Sequence, residues 1–357
     1  MTTTRLLTDP PGKPMNEPDL LDTDPDASAG VTGVTGATGA NRQRPPRVSV
    51  VVPCHNEARN LEALLPRLAQ CLSALVPAWE VVLVDDGSTD TTAQVLRDWS
   101  GKPGFRMVQL SRNFGKEAAL TAGFEHALGD VVVSMDADLQ HPPELIESML
   151  RYWSRGADVV YAVRASREDE TALKRLGTRL FYRLVNGFER VQIPPGGGDF
   201  RLLDRAALDA LLSLPERNRF MKGLYAWVGF DAVALPYMPD PRAHGTSHFS
   251  LGRLLSLFLD GLTAFTTWPL RLATGIGVVT ALTAIGYGAW RIASYLLWGN
   301  DVDGWTTIVV GGSLMAGVQM ILIGIMGEYI GRIFEEVKGR PVYLVKHLRG
   351  QGLTPKA

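Results

Sequence analysis

From Arg47 the chain alternates short β-branched runs with longer amphipathic ones. Val48–Pro53 (VSVVVP) reads as a strand, and Glu57–Ser73 then carries Leu61, Leu64, Leu65, Leu68 and Leu72 at helical spacing. The same alternation predicts strands over Val81–Val84, Met107–Leu110, Val131–Met135 and Val159–Val163. It predicts helices over Thr89–Trp99, Lys116–Leu128 and Pro142–Trp153, the last with proline in its first turn. Strands alternating with helices imply a parallel α/β sheet. Ligands of such sheets sit beyond the carboxyl ends of the strands. The polar motifs His55-Asn56-Glu57, Asp85-Asp86, Arg112-Asn113 and Asp136–Asp138 fall at those ends.

The last third follows a different pattern. Leu272–Trp290 and Thr306–Gly327 contain no charge. At 1.5 Å per residue each can span a hydrocarbon core of about 30 Å. The segment between them holds Asp301 and Asp303, whereas the outer flanks hold Arg271 on one side and Arg332, Lys338 and Arg340 on the other. The positive-inside rule then puts both flanks and the α/β part in the cytoplasm. Ahead of the first span, Phe249–Phe265 aligns Leu251, Leu254, Leu255, Phe258, Leu262 and Phe265 on one helical stripe. That suits a helix lying in the membrane interface, with a helix packed on the sheet as the second reading.

Residues 1–46 are rich in Pro, Asp, Thr and Gly, with a low-complexity stretch at Gly30–Ala40, and read as a disordered tail without a secretory h-region. The expected organisation is a tail over 1–46, a catalytic domain over 47–247 and a juxtamembrane helix over 248–268. Spans over 269–298 and 305–330 and a cytoplasmic tail over 331–357 complete it. The formal net charge is −1, which excludes a bulk basic signal for nucleic acid. Cys54 and Cys71 read as free thiols of a reducing compartment, and no Cys/His cluster suggests zinc.

Asp136 and Asp138, two residues apart at a strand end, can hold a hard divalent cation with positions left for a pyrophosphate. Gln140 can add an oxygen ligand. Asp85 and Asp86 end the second strand, where a carboxylate can accept hydrogen bonds from a nucleobase or ribose. Turn formation and capping use the same residue types, and Glu57 has the same two readings. Lys116, Arg164, Arg217, Arg219, Lys222 and Arg242 are candidate phosphate binders. Lys116 opens a helix, where a cation opposes the dipole. Asp199 closes the Gly196-Gly197-Gly198 loop; it can orient an acceptor, act as a base, or pair with a nearby arginine.

The motifs VVPCHNE, VDDGSTD, RNFGKEAALTAGF, MDADLQHPPE, GGGDFRL and LPERNRFMKG, with the paired spans, resemble polyprenyl-phosphate glycosyltransferases of glycosyltransferase family 2. The last two motifs and the two-span tail look most like the bactoprenol glucosyltransferase branch; dolichol-phosphate mannose synthases are similar. The resemblance implies a GT-A (Rossmann-like) domain followed by an interfacial helix and two transmembrane helices. It implies Mg²⁺ or Mn²⁺ and inversion at the anomeric carbon. Pro53, Glu57, Asp86 and Asp136 would contact the nucleotide, with His55, Asp85, Lys116, Ala137 and Arg164 around it. Asp138 and Gln140 would hold the metal. Arg164 and Arg242 would lie near the diphosphate or the acceptor phosphate, joined on the acceptor side by Arg217, Arg219 and Lys222. Asp136, Asp138, Asp199 and Arg242 form the expected catalytic set.

The implied partners are a nucleotide-sugar, a polyprenyl (undecaprenyl) phosphate, the cell membrane and, as an open option, a second copy of the chain. UDP-glucose is the first expectation for the donor and GDP-mannose the alternative. His55 stands where the family commonly has Tyr or Phe, and His248 where Lys is frequent. A processive polysaccharide synthase would need a QxxRW signature and more spans. A nucleotidyltransferase would need a Gly-rich loop where this chain has CHNEARN, and an inactive scaffold is disfavoured by intact Asp86, Asp136 and Asp138.

Overall fold

The computed structural model describes residues 42, 44–164, 197–217, 219–238, 268–298 and 304–355. β1 (Val48–Cys54) is buried along its length apart from half-buried Pro53, as a β-branched run is when both faces of a sheet are covered. It pairs in parallel with β2 (Trp79–Asp85) and β4 (Val131–Ser134), and β3 (Phe105–Leu110) continues beyond β2 in parallel. Three further strands extend the other side: β5 (Val159–Arg164), β6 (Gly197–Asp204) and β7 (Ala232–Tyr237). With β8 (Val345–Gly350) the order is β7-β5-β6-β4-β1-β2-β3-β8.

Helices cover both faces. α1 (Ala58–Leu75), α2 (Thr92–Ser100) and α4 (Leu145–Ser154) share one apolar cluster with the sheet. α3 (Lys116–His126), α5 (Arg205–Ser213) and α6 (Met221–Trp227) share the other. The five leucines of α1 read from the sequence all have 0% exposure, so truncating any one to alanine would cost about 2–5 kcal/mol. α3 lies so close to the sheet that a Cβ on Gly123 would meet Val51 Cγ1 at 2.2 Å. That close approach fixes the height of Lys116 at its first turn.

The sheet is mixed rather than parallel throughout. β6 runs antiparallel to both β4 and β5, and β8 antiparallel to β3. The reversal of β6 brings its first residues, including Asp199, to the edge where the parallel strands end.

After β7, α7 (Trp268–Trp298) and α8 (Trp305–Lys338) form the apolar hairpin and touch each other. Leu272–Trp290 and Gly311–Lys338 each have a mean hydropathy of 1.5 and are long enough to cross a membrane. Their large apolar side chains, such as Val279, Leu282, Ile285, Leu314 and Ile321, are exposed rather than packed in protein, as side chains that meet lipid are. α8 runs beyond the expected span to Lys338, where Gly339 closes it at φ 70°.

The expected tail over 331–357 is also corrected. Its β8 pairs with β3, and Ser111 N donates to Leu344 O at 2.9 Å. Glu80, buried at 0% exposure, accepts from Ser49 Oγ, Leu128 N and Leu353 N at 2.7, 2.7 and 2.9 Å. The returning chain therefore covers the open edge of β3 and supplies one of the donors of a buried carboxylate. At the other end the docked chain begins before Arg47: Arg42 donates to Trp153 O, Ala157 O and Asp158 Oδ1, each at 2.8 Å. Residues 1–41 and 43 of the expected N-terminal tail, the expected juxtamembrane helix up to residue 267, Gly196, Arg242, His248, Asp301 and Asp303 lie outside the described residues.

Candidate active site

The ends of β1, β2 and β4, the start of β6 and the β3–α3 loop converge on one edge of the sheet. Gly87 turns the chain after β2 at φ 65°, and a Cβ there would meet the Arg112 carbonyl carbon and Asn113 N at 2.4 Å. The β2 turn and the β3–α3 loop therefore touch backbone to backbone. Asp86 locks them together: its two carboxylate oxygens accept from Phe114 N at 2.7 Å and Gly115 N at 2.9 Å. His55 is exposed beside them, with Nδ1 3.0 Å from Asp86 O and Asn113 Nδ2 at 3.2 Å from Nε2.

Lys116 follows directly. Its ammonium lies 2.6 Å from Asp136 Oδ1 and 2.7 Å from Asp199 Oδ2. Burial opposes the charge on Lys116, but the two carboxylates outweigh it and hold its pKa above the ordinary lysine value. Burial alone would push Asp199 up; Lys116, Lys222 and Arg201 outweigh that and hold it below the usual aspartate value. An ionised, cation-bound Asp199 is a weak proton acceptor at neutral pH.

On the other side of Asp136 the balance reverses. Burial raises the pKa of Glu57, a bond from Asn60 opposes the shift, and Asp138, Asp136 and Asp90 add to it. Asp138 Oδ1 accepts Gln140 N at 3.1 Å, and Gln140 Oε1 accepts from Arg164 at 2.8 Å. Ala137 is buried between the two aspartates. Among the described residues no group of three or more His, Cys, Asp or Glu forms a metal cage. Mg²⁺ is commonly held by one or two carboxylates plus substrate phosphates. Asp136 and Asp138, two carboxylates at one strand end, fit an ion that binds together with a diphosphate.

Two expected ligands make local structural contacts. Asp85 has 0% exposure and accepts from Ser88 N at 2.9 Å and Gln109 Nε2 at 3.0 Å, so it builds the turn. Arg219 is buried and donates to Leu214 O at 2.7 Å and Glu216 O at 3.2 Å, which braces its own loop, while its Nη1 has no hydrogen-bond partner among the described residues. Arg217 is tied to the end of α8, through its backbone N to Glu336 Oε1 at 2.9 Å and its guanidinium to Arg340 O. Lys222 stays close enough to Asp199 to lower its pKa.

Sequence reasoning missed a buried group beneath Asp199. Arg201 stacks 3.7 Å over the Tyr225 ring and donates to Gly198 O at 2.9 Å. Glu117 beside it is pushed up to about 7, first by burial and then by Asp199, against Lys116 and Lys222. The two residues stand in the motifs RNFGKEAALTAGF and GGGDFRL, but a motif does not say which side chains turn inward. His141 was missed in the same way, and burial lowers its pKa against the pull of Asp136 and Asp138.

A strand-end carboxylate pair, a half-buried carboxylate opposite it and a cation between them, on this sheet order, fit a glycosyltransferase domain of the GT-A kind. The chain belongs to glycosyl transferase family 2, whose family model matches residues 49–212. A second model, the GtrB C-terminal hairpin, matches residues 268–333, the two apolar helices. A relative from Synechocystis sp., described as an uncharacterized glycosyltransferase, is 42% identical over 86% of this chain and 97% of its own length. The SfII prophage-derived bactoprenol glucosyl transferase of Shigella flexneri is 40% identical over 84% of this chain and 97% of its own. Coverage of that extent includes the hairpin as well as the catalytic domain. A mannosyltransferase of Pyrobaculum calidifontis, solved with GDP-Man and Mn²⁺, aligns at 17% identity over 84% of this chain and 90% of its own. Its TM-score of 0.41 is too low to carry donor or metal across.

Proposed function

We propose that this protein transfers a hexose, glucose from UDP-glucose in the first instance, to a polyprenyl phosphate, with inversion and at the cytoplasmic face of the cell membrane. The observation that carries the reading is the Asp136–Lys116–Asp199 bridge at the site edge of a chain that also bears a two-helix apolar hairpin. The likeness to bactoprenol glucosyl transferases over nearly their whole length supports the lipid acceptor.

The chemistry follows from the charges. A polyprenyl phosphate is largely dianionic at neutral pH, by analogy with phosphoserine and its second pKa of about 6. The nucleophilic oxygen arrives deprotonated, so no base has to act in the transition state. That oxygen bonds to the anomeric carbon from the face opposite the leaving group; the bond from that carbon to the nucleotide diphosphate breaks, and the configuration inverts. Asp136 and Asp138 would hold Mg²⁺ or Mn²⁺ with the donor diphosphate, and the ion would offset the charge that develops there. Lys116 fixes the distance between the donor-side and acceptor-side carboxylates, and Lys222 and Arg201 keep Asp199 ionised.

Membranes carrying the protein, given a panel of labelled nucleotide-sugars and polyprenyl phosphate, test the reading. Label from UDP-glucose should enter the lipid extract in a metal-dependent way. Label that only ever appears as free sugar, from every donor, would overturn it.

A further inference from the structure

The loop from Asp136 to His141 closes on itself. Asp136 N donates to His141 Nδ1 at 3.4 Å, at the long end of the hydrogen-bond range, and Gln140 N donates to Asp138 Oδ1 at 3.1 Å. Between them Leu139 sits at φ 63°, a left-handed conformation that a bulky side chain adopts only when its surroundings impose it. The His141 ring is 7% exposed. It stacks on Phe200 with centroids 4.9 Å apart and planes 27° apart, and meets Tyr237 at 5.9 Å. Phe200 immediately follows Asp199 on β6, and Ser134 Oγ on β4 donates to Asp199 O at 2.6 Å. One imidazole thus touches the backbone of the donor-side aspartate with its nitrogen and the neighbour of the acceptor-side aspartate with its face.

We propose that His141 is a positioning residue that sets Asp136 against Asp199, its Nδ1 holding the Asp136 backbone and its ring bearing on Phe200. The role rests on Asp136 serving the donor diphosphate. The hydrogen bond fixes where the Asp136–Asp138 turn begins, and the stack fixes how far that turn stands from β6. A relaxed loop would let Leu139 leave its left-handed conformation and swing both carboxylates away from the geometry a metal–diphosphate needs. Partners that orient ligand-bearing groups in this way are commonly worth 10–100-fold in affinity or activity.

Two substitutions separate the nitrogen from the ring. His141→Phe keeps the stack and removes the acceptor; His141→Asn keeps an acceptor near the Nδ1 position and removes the stack. Binding of Mn²⁺ with UDP to the full-length protein in detergent, measured by calorimetry alongside the thermal midpoint, reads the effect without turnover. His141→Phe should weaken binding by about 10–100-fold with a thermal midpoint near that of the wild type. His141→Asn should bind more tightly than His141→Phe although its midpoint is lower. Binding in His141→Phe equal to the wild type overturns the proposal, and so does a loss in both variants that merely follows their midpoints. Should His141→Phe not fold, Phe200→Leu takes its place: it must weaken binding although the imidazole is intact, and wild-type binding there overturns the proposal. Failure of the wild-type protein itself to bind Mn²⁺ with UDP would instead count against the donor reading.

Discussion

The two sides of the site carry opposite electrostatic imbalances. On the side proposed for the donor, burial together with Asp138, Asp136 and Asp90 lifts the pKa of Glu57. On the side proposed for the acceptor, Lys116, Lys222 and Arg201 outweigh burial and lower that of Asp199. The first side has carboxylate to spare and suits a cation carried in with a diphosphate. The second has cation to spare and suits an anionic acceptor. Lys116 lies on the boundary and belongs to both. A transferase acting on a neutral hydroxyl would need a basic group on its acceptor side, and Asp199 is tuned the other way.

The comparison is most severely tested at Asp138. Asp138→Asn should lower kcat by roughly 10²–10³, the size of effect seen when one preorganised electrostatic group is lost, while the protein still folds and enters the membrane. Near wild-type turnover at saturating Mg²⁺ and Mn²⁺ would remove the metal from the donor side.

Lys116→Met comes next. It leaves Asp136 and Asp199 facing each other without their shared cation, and activity should fall by about 10–100-fold. The pKa of Asp199 itself, read by NMR titration, should also rise, because Asp199 no longer has its nearest counter-charge. An unchanged Asp199 titration would mean that Lys116 does not set its ionisation.

The smallest effect is expected at Glu117. Its folded pKa, about 7 against an ordinary 4.5, is raised. Its contribution to stability is therefore complete below about pH 4.5 and lost as pH rises through 7. Glu117→Gln should flatten the dependence of the thermal midpoint on pH across that window and raise the midpoint at pH 8. A midpoint curve identical to that of the wild type would place the proton elsewhere.

Much of this site is legible in the sequence, for a definite reason. A parallel strand ends where its hydrophobic run ends, so the run lengths alone put the carboxylates after β1, β2 and β4 on one edge. Burial beyond the strand end does not show in the pattern. Asp85 and Asp86 are adjacent in sequence, yet one is sealed beneath the turn and the other pins the β3–α3 loop. Arg219 and Arg217 lie two residues apart, yet one is buried in its own loop and the other reaches the end of α8. The reversal of β6 is invisible in the pattern because strand direction is decided by a connection. β8 escapes because VKHLRG carries no alternation: its side chains are exposed, and main-chain bonds to β3 hold it. His141, Glu117 and Arg201 are letters within recognisable motifs, and only the fold shows that they point inward.

The central claim is that the acceptor arrives already deprotonated and that Asp199 positions it without taking its proton. The direct measurement is kcat/KM against pH for Asp199→Asn beside the wild type, with polyprenyl phosphate as acceptor. The account predicts measurable turnover, lowered by about tenfold, well short of the loss at Asp138→Asn. The profile of the variant should still rise with ionisation of the lipid phosphate near pH 6. An Asp199→Asn protein as inactive as Asp138→Asn, with folding and donor binding intact, would contradict the account and make Asp199 the general base.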